Sequence, residues 1–227
     1  MSELDQAMLH DTEPTTKRRT RAKGEKSRQA ILTAAMVVIA KRGLHAITHR
    51  AIAAEAGVPL SLTTYFFTSL QDLVEQTFDH FVEMAASDNA ELLRRMAEYI
   101  GAIPPEQAAI PEVRRRVHAD ITQALSSFIV DTARNHFVGI AVELNYLQLS
   151  GLDDPLMRKV KAYRENLVGK IAKLVMPFAP EQPEIDASLV LGMVHRLEFD
   201  CINRADPPPR ERVEAEVRRL IGFILKV

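Results

Sequence analysis

The amino-acid sequence predicts an all-α protein. Its 227 residues are 47% hydrophobic and 26% charged, the composition of a globular chain that is long enough to bury an ample core. The chain has only nine glycines and no tryptophan, and few of its residue pairs would form hairpin turns, so little of it suits a β-rich fold. Apolar residues instead recur at helical spacing over most of the length. We therefore expect helices almost everywhere.

Composition also limits where in the cell we expect the protein to be. No run of about eighteen apolar residues is present to cross a bilayer, and the acidic first residues lack the apolar stretch of a secretory signal. The single cysteine, Cys201, excludes an intrachain disulfide framework and a cysteine-rich zinc site. We expect a cytoplasmic protein with no membrane partner, no cofactor and no metal.

Positive charge is concentrated near the N-terminus. Residues 17–56 hold ten Lys or Arg against two Glu, a net charge of +8, although the whole chain carries −1. Such a segment attracts polyanions, because the attraction to neighbouring phosphates sums over the nearby cations. A solubilising tail is the alternative for the basic run alone. We predict a flexible basic arm over residues 1–24, whose DNA-contacting residues are Lys17, Arg18, Arg19 and Arg21.

The next segment predicts two helices and a turn. An apolar stripe at helical spacing begins after Glu25 and stops at Gly43, which ends the first helix. Thr48 is a suitable N-cap for a short second helix, because its hydroxyl can accept from a free backbone N–H. Gly57 then supplies the turn that follows the second helix.

A third short helix and a long fourth helix follow. Pro59 suits the cap or first turn of a helix that runs to about Phe67. Ser69 caps the fourth helix, which carries a continuous apolar stripe and runs on toward Tyr99 with a break near Ser87.

Proline and glycine divide the chain beyond Pro104 into four or five further helices. The helix that starts after Pro183 is apolar over a wide arc, so it needs cover on both sides. We expect the last two helices to form an isologous four-helix bundle between two copies of the chain. The predicted interface residues are Leu189, Val190, Met193, Leu197, Val217, Leu220 and Ile224.

The two short helices joined through Gly57 have the proportions of a helix-turn-helix, with one supporting helix and a basic arm before them. A major groove about 12 Å wide admits one helix, so the second of the pair must present small or hydrogen-bonding side chains. A helical hairpin without a ligand has the same spacing and stays open as the alternative. The side chains that meet the requirement are Ser61, Thr63, Thr64 and Tyr65.

The residues at these helix ends form a specific motif. A glycine ends the first helix, a threonine begins the second, the letters I-A-x-x-A-G-V make the turn, aromatic residues end the third helix and a serine caps the fourth. The residues that carry this pattern are Gly43, residues 48–58, residues 64–69 and Leu73. Over roughly residues 25–80 this chain resembles the N-terminal DNA-binding domain of the TetR family of bacterial transcriptional regulators.

Four positions depart from the common family pattern, namely Pro59, Ser61, Phe66 and Leu70. The family frequently has a phosphate-contacting lysine where this chain has Leu70, so its phosphate contacts differ by one cation. Phe66 and Leu70 favour an alternative function, that of a helical small-molecule-binding or scaffold protein that has lost DNA binding.

The resemblance implies a DNA-binding domain over residues 25–70 and a helical effector-binding and dimerisation domain over residues 71–227. It implies a ligand-responsive, sequence-specific regulator, a repressor that acts as a homodimer on an inverted-repeat operator in double-stranded DNA. Thr48 and Arg50 would lie near the DNA backbone, which positions the protein. The residues that would face the groove are Leu60, Ser61, Thr63, Thr64 and Tyr65.

The resemblance also implies a pocket for a small-molecule effector in the second domain, and no residue identifies its occupant. An apolar and aromatic composition suits a hydrophobic or acyl-bearing molecule slightly better than a polyanion. The bulky side chains proposed to line the pocket are Phe128, Phe137, Tyr146, Met157 and Tyr163.

Two His-x-x-Glu pairs raise the question of a metal site. His80 with Glu83 and His195 with Glu198 each place an imidazole and a carboxylate on one helical face. A di-metal bundle normally needs Glu-x-x-His on two helices and two further inward carboxylates. No phosphate loop, nucleophile elbow or zinc signature is present either. We therefore expect that the protein is not an enzyme.

Overall fold

A computed structural model of the protein describes residues 13–149, 155–203 and 207–227. These ranges contain nine α-helices and two single turns of 3-10 helix, and they contain no strand, so the all-α prediction is confirmed. The helices are α1 (Glu13–Arg42), α2 (His49–Ala56), α3 (Leu60–Phe66), α4 (Leu70–Gly101), α5 (Pro111–Asn135), α6 (Phe137–Leu147), α7 (Pro155–Val175), α8 (Pro183–Asn203) and α9 (Arg210–Leu225).

Local chemistry fixes the ends of the first four helices. Gly43 follows α1 with φ of 80°, and Gly57 follows α2 with φ of 65°, a left-handed conformation that favours glycine. The Thr48 Oγ1 accepts from the Ala51 N–H at 3.0 Å, which caps α2. The Ser69 Oγ caps α4 by accepting from the Asp72 N–H at 3.0 Å. The predicted caps and the predicted turn are confirmed.

Two helices are longer than predicted. Helix α1 begins at Glu13 instead of Glu25, because Pro14 lies in the first turn, where its missing N–H is not needed, and Gly24 alone does not stop the helix. The second half of the predicted flexible arm is therefore helical, and residues 1–12 lie outside the described residues. Helix α4 continues through Ser87 without the predicted break, because no Gly or Pro occurs between its first residue and Gly101.

A first hydrophobic core joins the N-terminal helices to the rest of the chain. Ile31 and Ile39 of α1 are fully buried in it, and Phe67 is 1% exposed. Val142 and Tyr146 of α6 belong to the same core, as do side chains from the start of α7. The core therefore extends past residue 70, where we predicted the end of the DNA-binding domain.

A second hydrophobic core lies among α5, α8, α9 and the end of α4. Hydrogen bonds from the Arg114 guanidinium of α5 link three chain segments beside this core. The guanidinium donates to the carbonyl oxygens of Ala108 at 2.9 Å, Phe178 at 2.9 Å and Leu225 at 2.7 Å. Because the start of α4 packs in the first core and its end packs in the second, this helix connects the two cores.

Candidate nucleic-acid surface and internal cavity

The turn after α2 determines where α3 lies. The Val58 N–H donates to the Ala53 carbonyl oxygen at 3.0 Å, which closes the end of α2. Pro59 stands at the N-cap of α3, and Phe67 follows the last turn of the helix with its ring buried in the first core. The Arg28 guanidinium of α1 lies 5.9 Å from the centre of the Phe67 ring. Helix α3 is therefore held by α1 and α2 and presents its opposite face to solvent.

The exposed face of α3 carries most of the residues predicted to contact DNA. Tyr65 is 79% exposed and Leu60 is 44% exposed, and Ser61 and Thr64 are exposed as well. The Tyr65 ring meets the Phe66 ring edge to face with 5.1 Å between centroids. This contact orients the tyrosine and leaves its hydroxyl in solvent.

The prediction for Thr63 is wrong. Its side chain is fully buried, and its Oγ1 donates to the Leu60 carbonyl oxygen at 2.8 Å. Thr63 lies one helical turn before the buried Phe67, on the side of α3 that faces the core. The hydroxyl is satisfied inside the domain and does not face a groove.

Cations are sparse around this surface. Thr48 and Arg50 are both exposed at the start of α2, beside α3. No Lys or Arg occurs between Arg50 and Arg94, and Leu70 at the start of α4 is 38% exposed. Any attraction to a polyanion therefore depends on the cations of α1 and α2. The predicted arm residues Lys17, Arg18, Arg19 and Arg21 lie on the first turns of α1, and their side chains lie outside the described residues.

A cavity of about 120 Å³ lies inside the helical layer that follows the first core. Helices α4 to α9 all contribute to its wall, which is mostly apolar. Aliphatic and aromatic lining residues include Leu92, Met96, Ile121, Phe128, Ile171, Val190, Val194 and Ile221.

Of the five residues predicted to line a ligand pocket, Phe128 lines this cavity. Phe137 is 42% exposed, and Met157 is half-buried away from the cavity wall. Tyr146 is 1% exposed in the first core and donates its hydroxyl to the Val74 carbonyl oxygen at 2.9 Å. The predictions for Phe137, Tyr146 and Met157 are wrong, because α6 and the start of α7 pack against α1 and α4.

Tyr163 also lies outside the cavity wall, but it contacts a residue in that wall. Its ring packs edge to face on Phe78 and Phe81 of α4, with centroids 6.0 Å and 5.7 Å away. Its hydroxyl donates to the Glu143 Oε1 at 3.0 Å. Burial, and next to it this carboxylate, raises the pKa of Tyr163. Tyr163 therefore joins the aromatic cluster on α4 to the cavity.

One end of the cavity is polar, and its residues were not predicted to bind a ligand. Glu143 of α6, His195 of α8 and Glu198 of α8 all line it. The His195 Nε2 lies 3.2 Å from the Glu143 Oε1. Glu198 is 5% exposed, and burial together with the neighbouring Glu143 raises its pKa from 4.5 to about 8. A charged residue within the wide apolar arc of α8 was the sequence signal for this site.

The two His-x-x-Glu pairs have separate surroundings. The His80 Nε2 lies 3.3 Å from the Thr33 Oγ1 of α1, and burial lowers the pKa of His80. The pair of His195 and Glu198 belongs to the cavity. Among the described residues, no group of three or more His, Cys, Asp or Glu could hold a metal ion.

The predicted interface residues of α8 and α9 divide into two groups. Leu189 is 48% exposed, and Met193 and Leu220 are half-buried. The predictions for the remaining four are wrong, because these side chains pack inside the second core of one chain. They are Val190, Leu197, Val217 and Ile224, with exposures of 7%, 1%, 0% and 4%.

An exposed residue of α9 lies beside this surface and was not predicted. Phe223 is 75% exposed, and it lines one surface groove together with Met193 and Leu220. Charged residues of α9, among them Glu214 and Arg218, also border the groove. An apolar strip flanked by charges thus lies on the outside of the last two helices.

These features define a class: a helix-turn-helix domain carried by a helical domain that encloses a cavity. Residues 31–77 match the family model described as "Bacterial regulatory proteins, tetR family". This segment of the chain is therefore similar to the DNA-binding domain of TetR-family regulators, and the chain shares its fold with solved regulators. No curated protein matches the chain.

Solved structures share the fold over most of the chain. A transcriptional regulator from Rhodococcus sp. Rha1 (RHA1_ro04179) matches with a TM-score of 0.64 and 19% identity, covering 88% of this chain and 96% of the other. A TetR family member from Streptomyces coelicolor A3, SCO1917, has a TM-score of 0.56 and 24% identity, covering 86% and 97%. The multidrug binding protein EbrR, solved in complex with ethidium, has a TM-score of 0.53 and 23% identity, covering 86% and 97%.

None of the helices in the described ranges combines the length and the apolar character needed to span a membrane.

Proposed function

We propose that the protein is a ligand-responsive, sequence-specific DNA-binding transcriptional regulator. The exposed face of α3 is the observation that carries this proposal. Tyr65 and Thr64 project from a short helix whose other side is fixed by the buried Thr63 and Phe67. A rigid helix of this length fits a major groove, and hydroxyl and aromatic groups can reach base edges or phosphates there. Since its partner is double-stranded DNA, we place the protein in the cytoplasm.

The proposed regulator acts as a homodimer on an inverted-repeat operator. Support comes from the apolar strip of Leu189, Met193, Leu220 and Phe223, which would bury its exposed area against a second copy of itself. A two-fold interface places the two α3 helices in equivalent positions, so each reads one half of a symmetric site. Repression is the mode that the family resemblance implies.

A small-molecule effector of this regulator would occupy the internal cavity. Its apolar wall and its polar end at Glu143 and Glu198 support a ligand that is largely hydrophobic. EbrR, a protein of the same fold, binds ethidium, which supports a ligand role for the cavity domain. We assign the protein no catalytic activity and no cofactor.

A gel-shift titration tests the proposal. Overlapping duplex fragments of the DNA upstream of the protein's own gene are titrated with the full chain at fixed salt concentration. We expect one fragment to be bound in the presence of excess non-specific DNA, and mutation of either half of an inverted repeat within it to weaken binding. Binding of all fragments with equal affinity would contradict sequence-specific recognition.

A second function, a helical ligand-binding protein without DNA binding, is favoured by one observation. The exposed Leu70 and the absence of any Lys or Arg between Arg50 and Arg94 leave few cations to contact phosphates beside α3. The same titration distinguishes the two functions. If no fragment shifts while a small molecule still binds the cavity, the ligand-binding protein is the correct description.

A further inference from the structure

The polar end of the cavity contains more acidic than basic groups. Glu143 and Glu198 supply two carboxyl groups, and His195 is the one basic side chain among the described residues that line the cavity. The rest of the wall is apolar apart from Asn89. No Lys or Arg of the described wall is available to balance two carboxylates.

The two carboxyl groups differ in their hydrogen bonds. The Glu143 Oε1 accepts from the Tyr163 hydroxyl at 3.0 Å and lies 3.2 Å from the His195 Nε2, while no described residue donates to its Oε2. Glu198 is 5% exposed, and burial and the neighbouring Glu143 shift its pKa, with no hydrogen bond among the causes. A buried carboxyl without a donor is costly to ionise, because neither water nor protein offsets the charge. A hydrogen-bond donor bound in the cavity could therefore pair with the Glu198 carboxyl group.

We propose that this cavity binds a hydrophobic cation, an amine with an apolar body, whose charged head lies between the Glu143 Oε2 and the Glu198 carboxylate. The inference rests on the proposed function in one respect, that the cavity is the effector site. An ammonium head supplies N–H donors to both carboxyl groups and offsets the charge that Glu198 acquires when it ionises. The apolar wall receives the body of the ligand, which fixes its orientation.

Other head groups fit the same site less well. A carboxylate head would place a third acid beside Glu143 and Glu198, and acidic groups that share a poorly solvated site disfavour one another's ionisation. A neutral hydroxyl head could donate one hydrogen bond, but it would not offset the charge. The acyl-bearing ligand considered from composition is therefore disfavoured if its acid is free.

Binding of a cation should also release a proton. Burial and the neighbouring Glu143 raise the pKa of Glu198 to about 8, which favours its neutral acid at pH 7. An ammonium group beside it favours the ionised carboxylate, so the proton leaves to the buffer and affinity rises from pH 6 to pH 8. The titratable groups that face Glu198 are Glu143 from α6, Tyr163 from α7, and His195 and Cys201 from α8.

The cavity volume of about 120 Å³ sets the size of the probes. An apolar cavity of about 150 Å³ holds one benzene ring, so this smaller cavity suits a body no larger than a short alkyl chain. Three compounds share such a body and differ in the charge of the head: butylamine, butan-1-ol and butyrate. Isothermal titration calorimetry on the full chain at pH 7 compares their affinities without DNA.

We expect the amine to bind about tenfold more tightly than the alcohol, and the acid to bind most weakly. Glu198→Gln should remove most of the preference for the amine and leave the affinity for the alcohol within about twofold. Glu184→Gln, an exposed position on the same helix, is the matched control and should change nothing. In the unmodified protein, phosphate and Tris buffers should give different enthalpies that correspond to release of about one proton.

Three results would overturn the inference: equal or tighter binding of the alcohol or the acid, no binding of the amine, or no proton release. The proton measurement uses the unmodified chain, so it holds even if Glu198→Gln fails to fold. Failure of the inference is distinguishable from failure of the proposed function. A protein that shifts an operator fragment but ignores the amine contradicts only the inference, while one that binds the amine and no DNA contradicts only the regulator.

Discussion

At the scale of single residues, burial changes the protonation of Glu198. In the unfolded chain this carboxyl ionises near its ordinary pKa of 4.5, and in the folded protein its pKa is about 8. Folding therefore takes up a proton at any pH between these two values. The stability that comes from burying the neutral acid is fully present below about pH 4.5 and is lost as the pH rises toward 8.

This linkage predicts how Glu198→Gln alters the pH dependence of stability. The unmodified protein should lose about 3 kcal/mol of unfolding free energy between pH 5 and pH 8, and the glutamine variant should lose clearly less, because an amide does not ionise. Urea unfolding followed by circular dichroism at several pH values measures both curves. Glu184→Gln serves as the control and should follow the unmodified protein. If the curve for Glu198→Gln ran parallel to that of the unmodified protein, Glu198 would not be the cause of this pH dependence.

Tyr65 and Thr63 give opposite expectations although they are two residues apart. Tyr65→Ala should weaken operator binding by about 1 to 3 kcal/mol and leave the melting temperature unchanged, because the ring is 79% exposed. Thr63→Val should lower the unfolding free energy by about 1 kcal/mol, because it removes the buried hydrogen bond to Leu60. Thermal melting and gel shift on both variants separate the two effects. A large fall in the melting temperature of Tyr65→Ala would contradict this assignment.

The sequence predicted the exposed side of α3 correctly for four of five residues and wrongly for Thr63. Thr63 and Thr64 have the same side chain, and only the position of the buried Phe67 decides which of them faces solvent. Leu60, Ser61, Thr64 and Tyr65 lie on the exposed face as predicted. Their contact with DNA stays a prediction.

At the scale of helices, glycine has two opposite effects in this chain. Gly57 ends α2 with φ of 65°, and Gly24 lies inside α1 with no atom within 4 Å of where a Cβ would stand. Gly57→Ala should cost about 1 kcal/mol of unfolding free energy, because an L-residue is strained in the left-handed region. Gly24→Ala should add about 0.5 to 1 kcal/mol by removing freedom from the unfolded chain. Chemical denaturation of both variants checks the signs, and equal signs would contradict one of the two backbone assignments.

Helix ends were more predictable than helix faces. Thr48, Ser69 and Gly57 act on backbone atoms within a few residues, so their effect is visible in the local sequence. The exposed side of α8 depends on which neighbours cover it. Leu189 and Val190 are consecutive apolar residues, yet only the first is exposed, because the second packs inside the second core.

At the scale of the whole molecule, the apolar strip on α8 and α9 predicts the state of assembly. Phe223→Arg should convert a dimer into a monomer at micromolar concentration, because it places a charge where the second copy would bury an apolar ring. Met84→Arg, a change of an equally apolar side chain on α4 that is 45% exposed, should leave the dimer intact. Sedimentation of both variants tests this. A monomeric unmodified protein, or a dimer that survives Phe223→Arg, would contradict the assignment of the interface.

Long-range packing explains why the cavity was only partly predictable. Tyr146 and Tyr163 have the aromatic character of a ligand pocket, but α6 and α7 carry them into the first core against Phe78. Glu143 and Glu198 are separated by the whole of α7 in the sequence and meet only when α6 and α8 pack together. No local pattern contains that contact.

Helix α4 is long enough to connect the surroundings of α3 with the cavity. Its 32 residues, at 1.5 Å each, make a rod of about 48 Å with no Gly or Pro in its interior. One end starts at the Ser69 cap beside α3, while Leu92, Met96 and Ile100 near the other end line the cavity. A tilt of about 5° along such a rod displaces one end relative to the other by about 4 Å, a third of the width of a major groove. In the proposed regulator, a tilt of α4 that pivots near the cavity would therefore displace α3 by about 4 Å.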